Sequence, residues 1–332
     1  MKQPYAVVLA AGEGKRMHSV LPKVLHHLCG RPMIDYILES AAVLTDHVLV
    51  VVGHGASQVK AALGEKWRYV LQEEQLGTGH ALMQALDDLP AAGKLMVLCG
   101  DTPLLEAGYL QNLLGYCDHR AAAVATVVLN NPAGYGRIVR NSDNFVERIV
   151  EERDATNNEK NITEINAGTY CFDLALLRHY LPRLSADNAQ KEYYLTDVIS
   201  LMHRDGHQVG AYQIDDHRVG LGINDRSQLA AAAAMLREKI NDTLMISGVT
   251  IIDPGTAYID YDVEIGPDTE IGPNCIIEAG TVIGSACKIG PGVHLRRAVI
   301  KDGVSLEQAI IEEAVVDSSS RIKPYSIIRS KV

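Results

Sequence analysis

A spacing of six residues runs through the last third of the chain. Seven aliphatic residues follow one another at that interval: Ile259, Ile265, Ile271, Ile277, Ile283, Ile289 and Leu295. Glycine comes directly after four of them, at positions 266, 272, 284 and 290. After residue 295 the phase slips by three, and the interval continues with Val304, Ile310, Val316, Ile322 and Ile328. A hexapeptide repeat of this kind predicts a left-handed parallel β-helix, in which each aliphatic side chain fills a corner of a prism.

The repeat also divides the chain. At about 18 residues per coil, residues 249–332 make between about four and five coils, which is a short β-helix. Residues 226–243 are rich in alanine and have the texture of a helix, and Ala230–Ala234 offer a smooth face on which the first coil could rest. We therefore predict three parts: an α/β domain over residues 1–226, a linker helix over 227–248 and the β-helix over 249–332.

The first two-thirds alternates predicted strands with helical stretches. Apolar runs indicate strands near residues 5–10, 47–52, 67–71, 94–98 and 121–128. This order predicts a mostly parallel sheet with helices on both faces, a Rossmann-like architecture. Ligands of such sheets lie at the carboxyl ends of the strands. Gly12, Asp101 and the Gly53–Gly55 loop are predicted to lie there.

The loop after the first strand carries the residues of a phosphate site. The strand Tyr5–Leu9 runs into Ala10, Ala11 and Gly12, whose side chains are too small to cover their own backbone. Bare amide groups can face a phosphate or the edge of a base. Two cations, Arg16 and Lys23, follow within reach of the same loop. Small residues, bare amides and paired cations suit a nucleoside triphosphate.

Two better-known glycine loops do not fit this segment. A dinucleotide-binding loop needs a third glycine where Met17 stands, and an acidic residue near the end of the second strand, which is followed here by Gly53-His54-Gly55. A Walker loop needs Ser or Thr after Gly14-Lys15, where Arg16 stands.

Composition excludes several classes of protein. The formal charge is −10, from 31 basic and 41 acidic residues, and an acidic chain without a basic stripe is a poor candidate for binding nucleic acid. The apolar runs are too short to span a membrane, and no export signal is evident. The six cysteines contain no Cys-x-x-Cys pair, a usage typical of the reduced cytoplasm, where we expect the protein.

The N-terminal motif resembles a known enzyme family. Residues 10–23 read Ala-Ala-Gly-x-Gly-x-Arg-Met-x-Ser-x-x-Pro-Lys, which is similar to the signature of sugar-1-phosphate nucleotidyltransferases and most similar to N-acetylglucosamine-1-phosphate uridylyltransferases. Further segments match the family in order: Gln72–Ala81, Gly100-Asp101, Tyr135–Ile138, Ile149–Ala155, Glu164–Gly168 and Gly220–Arg226. Gln190–Asp197 also matches, and we interpret it mostly as structure at the far edge of the domain.

The resemblance implies a reaction and a set of site residues. UTP and N-acetylglucosamine-1-phosphate would give UDP-N-acetylglucosamine and pyrophosphate, a precursor step for cell wall and lipopolysaccharide. Arg16 and Lys23 would be catalytic, and Mg²⁺ would be held by Asp101 and Asn224. The implied uridine pocket consists of Leu9, Ala10, Ala11, Gly12, Gln72, Gly77 and Thr78. The implied sugar side consists of Gly136, Glu151 and Asn166, with Cys99 and Gly100 next to the metal carboxylate.

Several alternatives remain open at this stage. Asp101 could instead be a helix N-cap, because Thr102-Pro103 follow it. Asp225 adjoins Asn224 and could be mistaken for the ligand. Cys99 stands where relatives often carry tyrosine or serine, which puts the fit of the sugar in question. The whole chain could transfer another nucleotide to another sugar phosphate, or be a non-catalytic scaffold that binds UDP-sugars.

Many members of the family also acetylate glucosamine-1-phosphate on a longer β-helix. The residues of that second site would lie beyond Val332, so we expect no acetyltransferase activity from this chain. The flat faces of the β-helix favour a weak homotrimer.

Overall fold

The structure, a computed structural model, describes residues 3–330 and divides into two compact units. The first unit comprises residues up to 26 and residues 32–225. The second comprises residues 27–31 and everything from residue 226 onward.

The first unit alternates strands and helices as predicted. The strands before residue 226 are β1 (Tyr5–Ala10), β2 (His27–Leu28), β3 (Arg31–Pro32), β4 (Val48–Val52), β5 (Arg68–Leu71), β6 (Lys94–Cys99), β7 (Ala122–Val128), β8 (Arg137–Arg140), β9 (Val146–Val150), β10 (Glu164–Asp173) and β11 (Val209–Gln213), of which β2 and the first residue of β3 fall in the second unit. The helices are α1 (Met33–Ala42), α2 (Ala56–Leu63), α3 (Thr78–Ala85), α4 (Ala107–Tyr116), α5 (Leu174–Tyr180) and α6 (Asp197–Arg204). Short 3-10 helices form at Lys15–Met17, Lys23–Leu25, Leu86–Asp88, Glu159–Asn161 and Leu181–Arg183.

One nine-stranded sheet organises this unit. Its order is β11-β7-β10-β6-β1-β4-β5, with β8 and β9 branching from β10. β1, β4, β5 and β6 run parallel to their neighbours in this group, while β10 is antiparallel to both β6 and β7. The predicted mostly parallel sheet is thus confirmed. Because β1, β4 and β6 are parallel, their carboxyl ends lie at the same edge of the sheet.

Both faces of the sheet are buried. Alternate residues of β1 enter different cores, Val7 on one face and Val8 on the other, and neither is exposed to solvent. α3, α5 and α6 contribute to the core on the side of Val7, whereas α1 and α4 contribute to the core on the side of Val8. Two covered faces explain why β4 is an unbroken run of five buried residues.

The second unit consists of a helix and a stack of two- and three-residue strands. The helix is α7 (Arg226–Ile246). The strands are β12 (Thr250–Ile251), β13 (Tyr258–Ile259), β14 (Glu264–Ile265), β15 (Glu270–Ile271), β16 (Ile276–Ile277), β17 (Val282–Ile283), β18 (Lys288–Ile289), β19 (His294–Arg296), β20 (Val299–Ile300), β21 (Ser305–Leu306), β22 (Ile310–Glu312), β23 (Val315–Val316), β24 (Arg321–Ile322) and β25 (Ile327–Arg329). Every third strand pairs in parallel, giving sheets of five, five and four strands. These are the three walls of a parallel β-helix, as the repeat predicted.

The phase of the repeat after Leu295 differs from the prediction. Ile300, Leu306 and Ile311 stack inward in register with Ile283, Ile289 and Leu295. Val304 is buried but lies two residues before the inward corner, and Ile310 is only half-buried beside Ile311. Assigning Val304 and Ile310 to corners was therefore wrong. Three intervals between inward residues are five residues long instead of six: 295 to 300, 306 to 311 and 311 to 316. Together these three shortened intervals produce the apparent slip of three.

The helix α7 contacts the β-helix through its second half. Ile240, Leu244 and Met245 pack against the core of the coils, and the Asn241 amide donates to the carbonyl oxygens of Pro254 and Ala257 at 3.0 and 3.2 Å. Of Ala230–Ala234 only Ala232 is buried. The expectation that these alanines support the first coil was wrong, because the larger apolar side chains further along the helix cover more surface. No helix within residues 3–330 has the length and apolarity to cross a membrane.

Candidate functional site

The loop after β1 presents free backbone amides. The N–H groups of Gly12, Glu13 and Gly14 donate no hydrogen bond within residues 3–330. A Cβ added at Gly12 would meet no atom within 4 Å, so the backbone there faces open space. Consecutive unpaired amides form a concave donor surface for an anion.

Glycine at position 14 lets the loop close over a lysine. Gly14 has a φ of 65°, and a Cβ there would lie 2.6 Å from the Cβ of Lys23. A side chain would be strained by the backbone conformation and would also displace Lys23. Lys23 begins the short helix Lys23–Leu25 and projects from beneath the loop.

The ammonium of Lys23 joins two residues from distant parts of the chain. Its Nζ lies 2.9 Å from Oδ1 of Asn224 and forms an ion pair with Oδ2 of Asp101. Only 13% of the Lys23 side chain and 21% of the Asp101 side chain are exposed. A carboxylate oxygen and an amide oxygen therefore converge on one cationic point at the edge of the cavity.

The backbone holds Asp101 and Asn224 together. Asp101 comes two residues after the end of β6, and its carbonyl oxygen accepts a 2.9 Å hydrogen bond from the N–H of Ile223. A Cβ at Gly222 would lie 3.2 Å from the Asp101 carboxylate. The nearest following helix, α4, begins only at Ala107, so the interpretation of Asp101 as a helix N-cap was wrong.

The converging oxygens fit a hard divalent cation. Mg²⁺ prefers oxygen ligands and commonly takes only one or two from protein. Within residues 3–330 no group of three or more His, Cys, Asp or Glu side chains could hold a metal ion, so Asp101 and Asn224 would leave most positions to phosphate and water.

A cavity of about 490 Å³ connects the glycine loop with this pair. Most of the predicted residues line it: Leu9, Ala10, Ala11, Gly12, Arg16, Lys23, Gln72, Thr78, Gly77, Cys99, Asp101 and Asn224. Sequence reasoning missed further lining residues: Glu13, Gly14, Lys15, Val24, Gln75, Ala81 and Glu192. Gly100 lies behind the wall, where its N–H donates to the carbonyl of Leu9 at 2.9 Å.

Arg16 is an exposed cation of the cavity whose guanidinium remains open to a ligand. It lies in the 3-10 helix Lys15–Met17, and neither a hydrogen bond nor an ion pair occupies its guanidinium within the described chain. Its charge reaches Tyr135, where it opposes the rise that burial causes in the pKa of the phenol. Arg16 is thus available to a ligand, whereas Lys23 already has protein partners.

Gly77 permits close packing of the segment Gln190–Asp197. Gly77 has a φ of 110°, and a Cβ there would lie 2.7 Å from the carbonyl oxygen of Tyr193. The N–H of Tyr193 donates to Leu76, and the N–H of Gly79 donates to Tyr193, both at 2.8 Å. Placing Gln190–Asp197 at the far edge of the domain was therefore wrong, because its backbone supports the loop Leu76–Gly79 and Glu192 lines the cavity.

Gln72 is a buried residue that lines the same cavity. Its side chain is 3% exposed, and its Nε2 contacts the carbonyl of Gly77 at 3.2 Å and Nδ1 of His80 at 3.0 Å. Its Oε1 accepts no hydrogen bond within residues 3–330 and is not among the buried unpaired atoms, so it is the polar atom left to the cavity.

The three residues predicted for the sugar lie together, away from the lining of the cavity. A Cβ at Gly136 would lie 3.5 Å from both carboxylate oxygens of Glu151, and the Gly136 carbonyl accepts from the N–H of Asn166 at 2.9 Å. Burial raises the pKa of Glu151, and the charges of Asp197, Asp154 and Glu192 add to that rise. A hydrogen bond from Thr196 Oγ1 to Glu151, 3.2 Å long, opposes it.

The side chain of Asn166 is oriented by its own strand. Its Nδ2 donates to the hydroxyl of Tyr170 at 2.7 Å, and its Oδ1 accepts from the N–H of Gly168 at 2.9 Å. The register of β10 against β7 shifts between Asn166 and Tyr170, which makes room for this turn. One N–H and one lone pair of the amide remain for a ligand.

The thiol of Cys99 faces the same turn. Its Sγ donates to the carbonyl of Gly168 at 3.2 Å. Burial, with a smaller contribution from the charge of Asp101, raises the pKa of the Cys99 thiol to about 12. The side chain is therefore a neutral, weakly polar wall between the Asp101 side and the Asn166 side.

The fold and the cavity together define a nucleotidyltransferase domain. A family model for MobA-like NTP transferase domains matches residues 6–193, and a model for the GMPPB C-terminal domain matches residues 246–332. A crystal structure described as a glucose-1-phosphate thymidylyltransferase from Bacillus anthracis, in complex with sucrose, has the same fold over 70% of this chain and 94% of that chain, with a TM-score of 0.56 and 17% identity.

Full-length relatives specify the family. The bifunctional protein GlmU of Halalkalibacterium halodurans is 44% identical over 99% of this chain and 73% of its own length. GlmU of Acetivibrio thermocellus is 47% identical over 98% of this chain and 71% of its own length. The chain therefore belongs to the GlmU family, and its nucleotidyltransferase domain is of the kind that acts on sugar phosphates.

Proposed function

We propose that the chain transfers UMP from UTP to N-acetylglucosamine-1-phosphate, releasing pyrophosphate. One observation carries the proposal above the others. The 490 Å³ cavity is lined both by the open amide loop at Gly12 and by the convergent group of Lys23, Asp101 and Asn224. An anion-binding loop next to a cation site is what a magnesium nucleoside triphosphate requires.

Asp101 and Asn224 would hold Mg²⁺. When bound, the ion would supply neutralisation of the negative charge that gathers on the phosphates. The fit rests on two oxygens that already share one cationic partner, the ammonium of Lys23. Asp225 is not assigned as a ligand.

The residues of the chain would act by positioning and by charge. The attacking group is a phosphate oxygen that is ionised at neutral pH, so no general base is needed. Arg16, which is exposed and has no ion-pair partner among the residues that the structure describes, would brace the triphosphate and the departing pyrophosphate. Lys23 would screen the two phosphates as they approach, which requires its ammonium to exchange part of its contact with Asp101 for phosphate. Fixed positive charges of this kind act mainly on the transition state.

The sugar would be held by Gly136, Glu151 and Asn166. The carboxylate of Glu151 can accept from sugar hydroxyls, and the remaining N–H and lone pair of Asn166 suit a hydroxyl or an acetamido group. Cys99 adjoins this side through Gly168 and would shape the space for the acetamido group. The product would feed the synthesis of cell-wall and lipopolysaccharide precursors.

The test measures pyrophosphate release in a matrix of substrates. Each of UTP, CTP, dTTP, ATP and GTP is combined with N-acetylglucosamine-1-phosphate, glucosamine-1-phosphate and glucose-1-phosphate. We expect the highest kcat/KM with UTP and N-acetylglucosamine-1-phosphate. A clear preference for another nucleotide or sugar would assign the chain to a different sugar nucleotidyltransfer, and binding of UDP-sugars without any turnover would make it a scaffold. That the 332-residue chain lacks acetyltransferase activity stays a prediction, checked by thiol release from acetyl-CoA.

A further inference from the structure

His80 lies in α3 between two amide side chains. The Nε2 of Gln72 is 3.0 Å from its Nδ1, and the Nε2 of Gln84 is 3.2 Å from its Nε2. Each amide also contacts a backbone carbonyl: Gln72 reaches that of Gly77 at 3.2 Å, and Gln84 reaches that of His80 at 3.3 Å. A neutral imidazole has one bare nitrogen, so it can accept a hydrogen bond from only one of the two amides.

Burial decides which amide donates to the ring. A carbonyl only accepts, so the atom of Gln72 that faces Gly77 must be its NH₂ group. Turning the amide over would set its oxygen against the Gly77 carbonyl in a side chain that is 3% exposed, where no water can compensate. Gln84 is half-exposed and can turn its oxygen toward the ring while water satisfies the backbone carbonyl. The ring therefore carries its proton on Nε2 and accepts from Gln72 at Nδ1.

We propose that His80 is a positioning residue for base recognition, which fixes the Gln72 amide with its carbonyl oxygen toward the cavity. Both hydrogens of the amide are then engaged, one by Gly77 and one by His80. The atom left to the base is an acceptor, which pairs with the ring N–H of a uracil-type base and opposes the bare ring nitrogen of a cytosine-type base. The inference rests on the proposed function, since it concerns the base of the same nucleotide.

Two substitutions separate positioning from packing. His80→Asn keeps an amide oxygen near the place of Nδ1, whereas His80→Leu keeps the bulk without an acceptor. Gln84→Leu is the control, because the inference makes Gln84 the residue that yields. The measurement is the ratio of kcat/KM for UTP to kcat/KM for CTP with one sugar phosphate, alongside the thermal midpoint of each variant.

We expect His80→Leu to lower the ratio by about tenfold or more, mainly through KM for UTP, as the loss of one hydrogen bond to a buried group implies. His80→Asn and Gln84→Leu should keep the ratio of the wild type. An unchanged ratio in folded His80→Leu would overturn the role of His80 while leaving uridylyl transfer intact. A wild type without preference for UTP would overturn both.

A second measurement needs no variant. The ¹⁵N chemical shifts of the His80 ring at neutral pH report which nitrogen is bare. A bare Nδ1 agrees with the inference, and a bare Nε2 contradicts it.

Discussion

At the scale of single residues, Lys23 has the most informative surroundings. Its ammonium contacts the oxygens of both residues that we propose as metal ligands, although Asn224 lies 201 positions away in the chain. The motifs predicted that these residues serve one site. They could not predict the direct pairing, because it depends on how the segment 222–224 is bonded across to the end of β6. The ammonium of Lys23 thus pairs with the negative charge that the proposed metal would neutralise when bound.

The role of this pair predicts unequal effects of two substitutions. Asp101→Ala removes the one anionic ligand proposed, so we expect kcat to fall by at least about 10³-fold at any Mg²⁺ concentration. Asn224→Ala removes a neutral ligand, and its smaller loss should be partly restored by higher Mg²⁺. Steady-state rates over a magnesium titration check both. Asp143→Ala, in the turn between β8 and β9, is the control and should behave as the wild type; near-normal rates from Asp101→Ala would contradict the assignment.

One missed lining residue, Glu192, is brought to the cavity by backbone pairing. It belongs to the segment Gln190–Asp197, which the sequence identifies as a motif but predicts to lie at the far edge of the domain. Its position follows from hydrogen bonds between Tyr193 and the loop Leu76–Gly79, which connect positions more than a hundred residues apart. A family motif can reveal that such a segment matters, but its packing against Gly77 depends on a positive φ and on backbone contacts that appear only in the structure.

At the scale of elements, a capping box stabilises the turn Thr156–Glu159, which lies a few residues after Glu151 and Glu152. The Glu159 carboxylate accepts from the N–H and hydroxyl of Thr156 at 2.8 and 2.6 Å, and the N–H of Glu159 donates back to the hydroxyl at 3.3 Å. Arg148 pairs with the same carboxylate. The hydrogen bonds from Thr156 have the largest effect and that from Arg148 comes next. Together they lower the pKa of Glu159 from its ordinary value of 4.5 to about 2.

The lowered pKa predicts a pH-dependent contribution to stability. Because the folded pKa is depressed, the carboxylate stabilises the fold fully above about pH 4.5, and this contribution is lost as the pH falls toward about 2. Glu159→Gln should therefore lower the free energy of unfolding by about 1 kcal/mol at pH 7, and the difference from wild type should shrink through that window. Urea unfolding at several pH values checks this. Glu147→Gln, whose carboxylate is exposed and 3.8 Å from Arg148, is the control and should show no such trend.

The β-helix allows a test on two adjacent residues of one strand. Ile283 in β17 is 2% exposed, whereas Val282 beside it is 41% exposed. Ile283→Ala should lower the free energy of unfolding of this unit by about 2–5 kcal/mol, because it leaves a cavity in the prism. Val282→Ala should change it by less than about 0.5 kcal/mol. Equal effects in denaturant unfolding would contradict the inward and outward assignment.

The same element shows how far a repeat pattern can be extended. Over residues 259–295 the interval of six was regular, and each of the corner residues from Ile271 to Leu295 is buried. After residue 295 some turns are one residue shorter, so the interval of six no longer falls on the corners. An aliphatic residue such as Val304 then lies at a second buried position, two residues before the corner. That position is elsewhere taken by small or apolar residues such as Thr269, Cys275 and Cys287. Two hydrophobic positions per strand make the phase ambiguous in sequence and fixed only by the pairing of coils.

At the scale of the whole molecule, two walls of the β-helix expose aliphatic columns. Ile276 and Ile327 project from one wall, and Val299 and Val315 from another, with exposures of 45%, 61%, 39% and 60%. The third wall carries Glu270, Lys288 and Arg321 instead. Apolar columns on flat sheets favour association with like surfaces.

We predict a monomer–trimer equilibrium at about micromolar concentrations. Val299→Glu should shift it toward the monomer, because it places a charge in an apolar column, whereas Lys288→Gln on the charged wall should leave it unchanged. Sedimentation equilibrium distinguishes these states. A tight dimer, or a monomer at all concentrations, would contradict the prediction.

We propose above all that one cavity brings the α-phosphate of UTP and the phosphate of the sugar together. The sugar phosphate then displaces pyrophosphate directly in a single step, without a nucleophile supplied by the protein. The most direct test uses UTP with a chiral phosphorothioate at the α-phosphorus and determines the configuration of the UDP-N-acetylglucosamine analogue formed. One in-line displacement inverts the configuration, which is the result that we predict. Retention would require two displacements through a covalent uridylyl-enzyme and would contradict the account.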